Sequence, residues 1–302
     1  MQEKPNYGKA IGGAALVGGL LGVLGMALVM IFGMTPLYSQ GLSIFFVLGA
    51  LGLIGAILYL CNIYPKLEAF GGMGAVLPIC GLVAAVAGAT FGVGKATGSY
   101  AKGAKVAIVD LLVKIVLVAT AICCVVGAFI YFTDIGSVFT APYAPAGLVV
   151  EQVGPPNGTA DGPPMGIPVG IDPLAFLWAF IVVAVIAAVA QAILMLTKIP
   201  MPAYLITLLA VGGVLTPLGL MKATVLFGGG GFQVLIIDAG EAIVSTFYAF
   251  LSGNYMPFLL VLCLFVYLFA VGILAGFIKM AMTKGKDAPD EPGAEQSAEQ
   301  SE

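Results

Sequence analysis

The sequence predicts an all-α, polytopic helical membrane protein, and three observations carry that prediction. Of 302 residues, 61% are hydrophobic and only 9% charged, whereas a soluble domain carries roughly a quarter charged residues. Apolar runs of about twenty residues recur along the chain, each long enough to cross a hydrocarbon core as a helix. The short alternating segments of a membrane β-barrel do not occur. The 42 glycines, mixed with alanine in the apolar runs, predict helices that approach one another closely.

The segments follow in order. Lys9–Phe32 is longer than a signal-peptide core and has no small-x-small cleavage site after it, so it reads as a retained anchor. Gly41–Cys61, Met73–Val93 and Ala104–Phe132 come next. The stretch Thr133–Asp172 contains APYAPAG and GPPNGTADGPPMGIPVG, whose Pro and Gly density forbids a long helix and marks an exposed linker. Pro173–Leu196, Pro202–Lys222, Gly231–Leu251 and Tyr255–Met280 complete the apolar set. The end, KGKDAPDEPGAEQSAEQSE, is acidic and of low complexity and predicts disorder. The expected organisation is therefore a first membrane unit over residues 1–133, an extracytoplasmic linker over 134–172, a second membrane unit over 173–282 and a tail over 283–302.

The two units read as copies of each other. FGGMGAVLPICG (Phe70–Gly81) and FGGGGFQVLIID (Phe227–Asp238) begin 157 positions apart. Ahead of them GALGLIGAI (Gly49–Ile57) aligns with GVLTPLGLM (Gly213–Met221), and VLGMALVMIFGMTP (Val23–Pro36) with VAQAILMLTKIPMP (Val189–Pro202). Tandem repeats of this kind are a known membrane architecture, with the site at the interface between copies.

All twelve positive residues are lysines. If every segment crosses, lysines fall on both sides. If the third segment of each unit enters and returns on the same side, ten collect inside, the linker lies outside, and the second copy is inverted. That arrangement suits the positive-inside rule better. Met73–Val93 is nevertheless long enough to span, so both topologies stand at this point.

Several function classes fall away. With no histidine the usual general base, metal ligand and triad partner are missing. Cys61, Cys80, Cys123, Cys124 and Cys263 lack metal-ligand spacing and read as small hydrophobes. No arginine is present and the lysines form no basic face, which argues against nucleic acid. No catalytic residue, cofactor or bound metal is expected.

The candidate positions cluster at the glycine breaks. Gly71, Gly72 and Gly74 with Pro78 and Gly81 mark the first, and Gly228, Gly229 and Gly231 the second. Helices are expected to start at about Ala75 and about Phe232, with Pro78 inside the first turns. Helix starts offer free N–H groups to an anion; two tight turns between packed helices is the plain alternative. Asp238 and Glu241, three apart on one helix face, can bind a cation, accept a proton, line a wet pore or face solvent near the membrane surface. Their counterparts in the first copy are Gly81 and Ala84. Asp110 and Lys114, four apart, can form an intramembrane ion pair or a local pair near the end of a span. Gln191 and Gln233 are further polar positions in apolar surroundings.

IYPKLEAFGGMGAVLPICG (Ile63–Gly81) is similar to the signature of the stage V sporulation membrane proteins AC and AE, with Tyr64, Phe70, Gly72, Gly74, Pro78 and Gly81 matching. Ala179–Leu205 resembles that family's first helix and its Leu-Thr-Pro turn. Cys80, Leu82, Ala84 and Leu235 depart from the pattern. The resemblance implies a component of the bacterial cytoplasmic (inner) membrane, here two family units in tandem with both termini cytoplasmic. It implies a channel or transporter for dipicolinic acid as its calcium chelate, gated in one member by membrane tension. Implied partners are the lipid bilayer, dipicolinate with calcium, and sibling subunits or further copies of this chain. A non-conducting structural subunit of a larger membrane complex is the alternative.

Overall fold

The computed structural model of the protein describes residues 7–35, 43–133, 148–152 and 166–283. Of the tail expected over 283–302, Thr283 is the last residue of a helix and the rest lies outside these residues, as does most of the linker. Apolar runs become helices, and glycine or proline marks nearly every boundary. α1 (Tyr7–Gly33) and α2 (Ser43–Leu60) are the first two apolar segments. After α2 the backbone of Asn62 takes φ 58° and the axis turns by 98° into α3 (Tyr64–Gly71), whose first turn holds Pro65. Gly72, at φ 45° and ψ −125°, then separates α3 from the single turn α4 (Met73–Val76). Only glycine adopts that backbone without strain.

Pro78 is extended, at φ −67° and ψ 151°, and α5 (Ile79–Thr97) begins after it. Left-handed Gly98 ends α5, and Ser99 caps α6 (Tyr100–Val106) by accepting from the Lys102 amide. The chain continues through a π-helical segment, Ala107–Leu117, into α7 (Val118–Thr133). Together these last three form a span of 34 residues. At 1.5 Å per residue this exceeds the roughly 30 Å hydrocarbon thickness, so part of it overhangs.

Within the linker, β1 (Leu148–Gln152) and β2 (Gly166–Ile171) pair as an antiparallel ribbon, which composition did not signal. Beyond it come α8 (Leu174–Thr197), α9 (Met201–Leu215), α10 (Leu220–Gln233), α11 (Ile236–Leu251) and α12 (Met256–Thr283). The segment expected over Pro202–Lys222 is divided, because Pro217 and left-handed Gly219 stop α9 and start α10. The expected break over Gly228–Gly231 is a kink inside α10, at Gly229 (φ 50°, ψ −141°). Both inner helices start four residues later than the sequence suggested, at Ile79 and Ile236 rather than near Ala75 and Phe232. Pro78 thus precedes its helix instead of sitting in its first turns.

Among the described residues, five helices are long and apolar enough to cross a membrane, or six if the bent α2–α3 pair counts as one. Helix directions follow from which residues touch. Gly272, Gly276 and Met280 of α12 lie against Val86, Thr90 and Gly94 of α5, so these helices run parallel. Lys279 reaches Leu60 at the end of α2, so α2, α5 and α12 all end at one face. In the other group Cys123 lies against Gly213, Gly127 against Val244, and the Tyr131 ring 5.7 Å from that of Tyr248. α7 and α11 therefore run parallel too, with Cys123 of α7 seated on α9. α1 and α8 cross antiparallel, with Gly18 against Ala187 and Gly22 against Val183. α1 meets the start of α2 through Phe32 and Phe46, and the residues just ahead of α5 and α11, Pro78 and Leu235, pair antiparallel, so the two parallel groups point in opposite directions.

Candidate functional site

The centre of the molecule is a crossing of two interrupted helices. Ile79 N–H donates to the Val234 carbonyl at 2.9 Å, and Ile236 N–H donates to the Leu77 carbonyl at 2.9 Å. Pro78 and Leu235 thus face each other as an isolated antiparallel bridge. Neither residue at the bridge itself needs to donate across it, which is why proline fits one position. α5 and α11 both start at this bridge and leave in opposite directions. Leu77, Ile79, Val234, Leu235 and Ile236 are all buried, so the crossing is closed by apolar side chains.

The amides that follow the two left-handed glycines are capped across the molecule. Met73 N–H donates to Oε1 of Gln191 on α8 at 2.8 Å, and Gly230 N–H lies 3.2 Å from Sδ of Met26 on α1. Gln191, noted in the sequence as a polar residue in an apolar run, is nearly buried and has this purpose. A buried amide left unpaired costs roughly 1–3 kcal/mol, and a thioether is a weaker acceptor than an amide oxygen. The two breaks are therefore equivalent in place and unequal in strength.

The glycines singled out in the sequence are tightly packed. A Cβ at Gly71 would meet Val17, one at Gly72 would meet Gln191, and one at Gly74 would meet the Ala14 carbonyl. Gly81 lies against the carbonyls of Ala75 and Val76. In the second break Gly228 lies against Val182, Gly230 against Val29 and Gly231 against Ala179, while the kinked Gly229 is buried. These positions bring α1 and α8 against the interrupted helices. Tyr64 seals the first break further: its hydroxyl donates to the Ala75 carbonyl at 2.6 Å and lies 3.3 Å from Cys80 Sγ.

Of the two helices that leave the crossing, only α11 brings carboxylates. Asp238 and Glu241 sit in the first two turns of α11, Asp238 half-buried and Glu241 8% exposed. Gly81 and Ala84 stand at the matching turns of α5. Buried Gln233 Oε1 and Thr120 Oγ1 have no hydrogen-bond partner among the described residues. Thr120 is about two turns ahead of Gly127, which packs on Val244, so the register of α7 brings it level with the start of α11. A buried polar atom left unpaired costs roughly 1–3 kcal/mol unless water or another group satisfies it.

Asp110 and Lys114 form their ion pair on the outer surface of the π-helical segment, with side chains 42% and 66% exposed. The pair lies within the 34-residue candidate span, on its outer surface. All five cysteines are free, and among the described residues no three His, Cys, Asp or Glu side chains form a group able to hold a metal. One charged residue that the sequence did not single out is buried: Lys279, at 4% exposure, which sequence reasoning counted only toward the charge of one face. Compared with protein-family models, with curated proteins and with solved structures, the chain matches none.

Proposed function

We propose that the chain is a membrane channel or transporter built from two inverted copies of one unit, with its path between the two interrupted helices. The crossing carries this proposal. Two helices broken at matching positions, 157 residues apart, meet backbone to backbone and leave in opposite directions. Non-helical backbone inside a membrane is tolerated only where protein buries it or water reaches it. Inverted repeats with broken helices are the usual way in which alternating access is built around a central site. The opposed directions of α2, α5, α12 and of α7, α11 support the inversion. In this arrangement α3 and α4 enter the membrane, and α5 returns to the side from which they came.

The resemblance to the stage V sporulation proteins supplies the substrate class, a small anion or its metal chelate, with calcium dipicolinate as the specific candidate. Asp238 and Glu241 favour the chelate over the bare anion. Carboxylates repel a free dianion, whereas calcium takes oxygen ligands readily. The glycines of both breaks let the helix starts approach closely, and the path opens where the apolar side chains of the crossing separate.

Flux through proteoliposomes holding the purified chain tests this. Dipicolinate with calcium should cross, and Asp238→Asn with Glu241→Gln should change its rate by about tenfold, the factor that 1.4 kcal/mol of interaction represents. If dipicolinate, Ca²⁺ and general osmolytes all fail to cross, with and without membrane tension, the chain is instead a non-conducting subunit of a larger assembly.

A further inference from the structure

A buried ammonium group holds the two halves of the molecule together at a bend. Lys279 lies one turn from the end of α12 and is 4% exposed. Its Nζ donates to the Asn62 side-chain oxygen and to the Leu60 carbonyl at 3.4 Å, and sits 5.6 Å from the centre of the Tyr59 ring. Leu60 closes α2, whose terminal carbonyls carry the negative end of the helix dipole, a favourable place for a cation. Asn62 holds a left-handed backbone at the 98° turn into α3. A single side chain from the last helix therefore satisfies the helix end, the turn residue and the ring beside them.

The turn leads directly to the first break. Tyr64 is two residues beyond Asn62, opens α3, and covers Cys80 in the first turn of α5. The far half has no lysine in the matching place. Thr216 follows the end of α9, its hydroxyl bonding back to the Gly212 carbonyl at 2.8 Å, and the Gly219 amide donates to the Thr216 carbonyl at 3.0 Å to complete the turn.

We propose that Lys279 is a lock: its hold on Leu60 and Asn62 keeps the α2–α3 bend closed, so that movement of α12 is transmitted through Tyr64 to the α3–α4 arm at the first break. The proposal does not depend on whether the chain conducts anything. It concerns which element of the second half controls an element of the first.

Native thiols give the test. Cys80 is buried beneath Tyr64 in the first break, while Cys123 is equally buried between α7 and α9. Full-length protein in lipid is exposed to N-ethylmaleimide, and labelling of each cysteine is followed by peptide mass mapping. Lys279→Met and Asn62→Gly each remove one side of the lock, the latter while keeping the left-handed backbone. Each should raise the labelling rate of Cys80 by about tenfold or more, as loss of a charge-assisted hydrogen bond implies. Cys123 should label as in the unaltered protein. Asn62→Asp, which turns the contact into an ion pair, should leave Cys80 at or below its original rate. If Cys80 is unaffected by Asn62→Gly, or if Cys80 and Cys123 rise together, Lys279 is an ordinary structural contact and the lock is refuted.

Discussion

At Gly74 there is no room for even one more carbon. An added Cβ would run into the Ala14 carbonyl of α1, an atom that belongs to a helix backbone and cannot step aside. Gly92, in the interior of α5, has nothing within 4 Å of the same position. The two glycines look alike in the sequence and differ only in what the fold sets against them. Gly74→Val should destabilise the protein by about 1–3 kcal/mol through overpacking. Gly92→Ala should stabilise it by about 0.5–1 kcal/mol, because glycine loses more backbone entropy in a helix. Thermal unfolding in detergent should show midpoints shifted in opposite directions. A lowered midpoint for Gly92→Ala, or an unchanged one for Gly74→Val, would contradict the packing described.

At the scale of elements, the bridge between Pro78 and Leu235 is the joint on which the inner helices depend. Its two hydrogen bonds flank the facing pair without joining it, the arrangement that brings antiparallel Cα atoms to about 4.5 Å. That separation is within disulfide range. Pro78→Cys with Leu235→Cys, in a background with the native cysteines replaced by alanine, should therefore crosslink on mild oxidation. Cleavage at a protease site inserted in the linker then leaves the halves joined, and reductant frees them. Failure to crosslink would mean the halves do not meet here. The existence of the joint was legible in the sequence, since Phe followed by clustered glycine recurs at a fixed spacing within apolar helices. Its position was not. Four residues separate the glycines from the true helix starts, because the extended backbone at Pro78 and Leu235 is held by a partner 157 residues away. Gln191 stood out as polar, yet its bond to the Met73 amide spans 118 residues and leaves no local trace. Lys279 gave no signal at all, because a lysine near the end of an apolar run ordinarily reaches for water.

The whole molecule has two faces, and lysine distinguishes them. Where α2, α5, α8 and α12 end and α1 begins, the chain places Lys9, Lys66, Lys95, Lys198 and Lys279, with Lys102 and Lys105 close by on α6. Lys222, near the start of α10, stands apart from this group, and the opposite face, where α7 and α11 end, carries an aromatic cluster. Phe250 and Phe258 lie 5.6 Å apart, and Tyr255 is 5.1 Å from Phe250. Lysine gathers on the cytoplasmic side of membrane proteins, and aromatic rings settle at the interfaces. The lysine face should therefore be cytoplasmic, with the linker on the other side. Single cysteines in a cysteine-free background decide this in sealed cells. One replacing Asp161 in the linker should react with a membrane-impermeant maleimide at once. One replacing Lys102 should react only after permeabilisation, and so should one replacing Lys66. The pair of lysine positions matters, because Lys66 precedes the interrupted α3–α4–α5 stretch and Lys102 follows it. If that stretch crossed the membrane completely, the two cysteines would label from opposite sides. Protection of both is the result that a chain entering at α3 and returning through α5 requires.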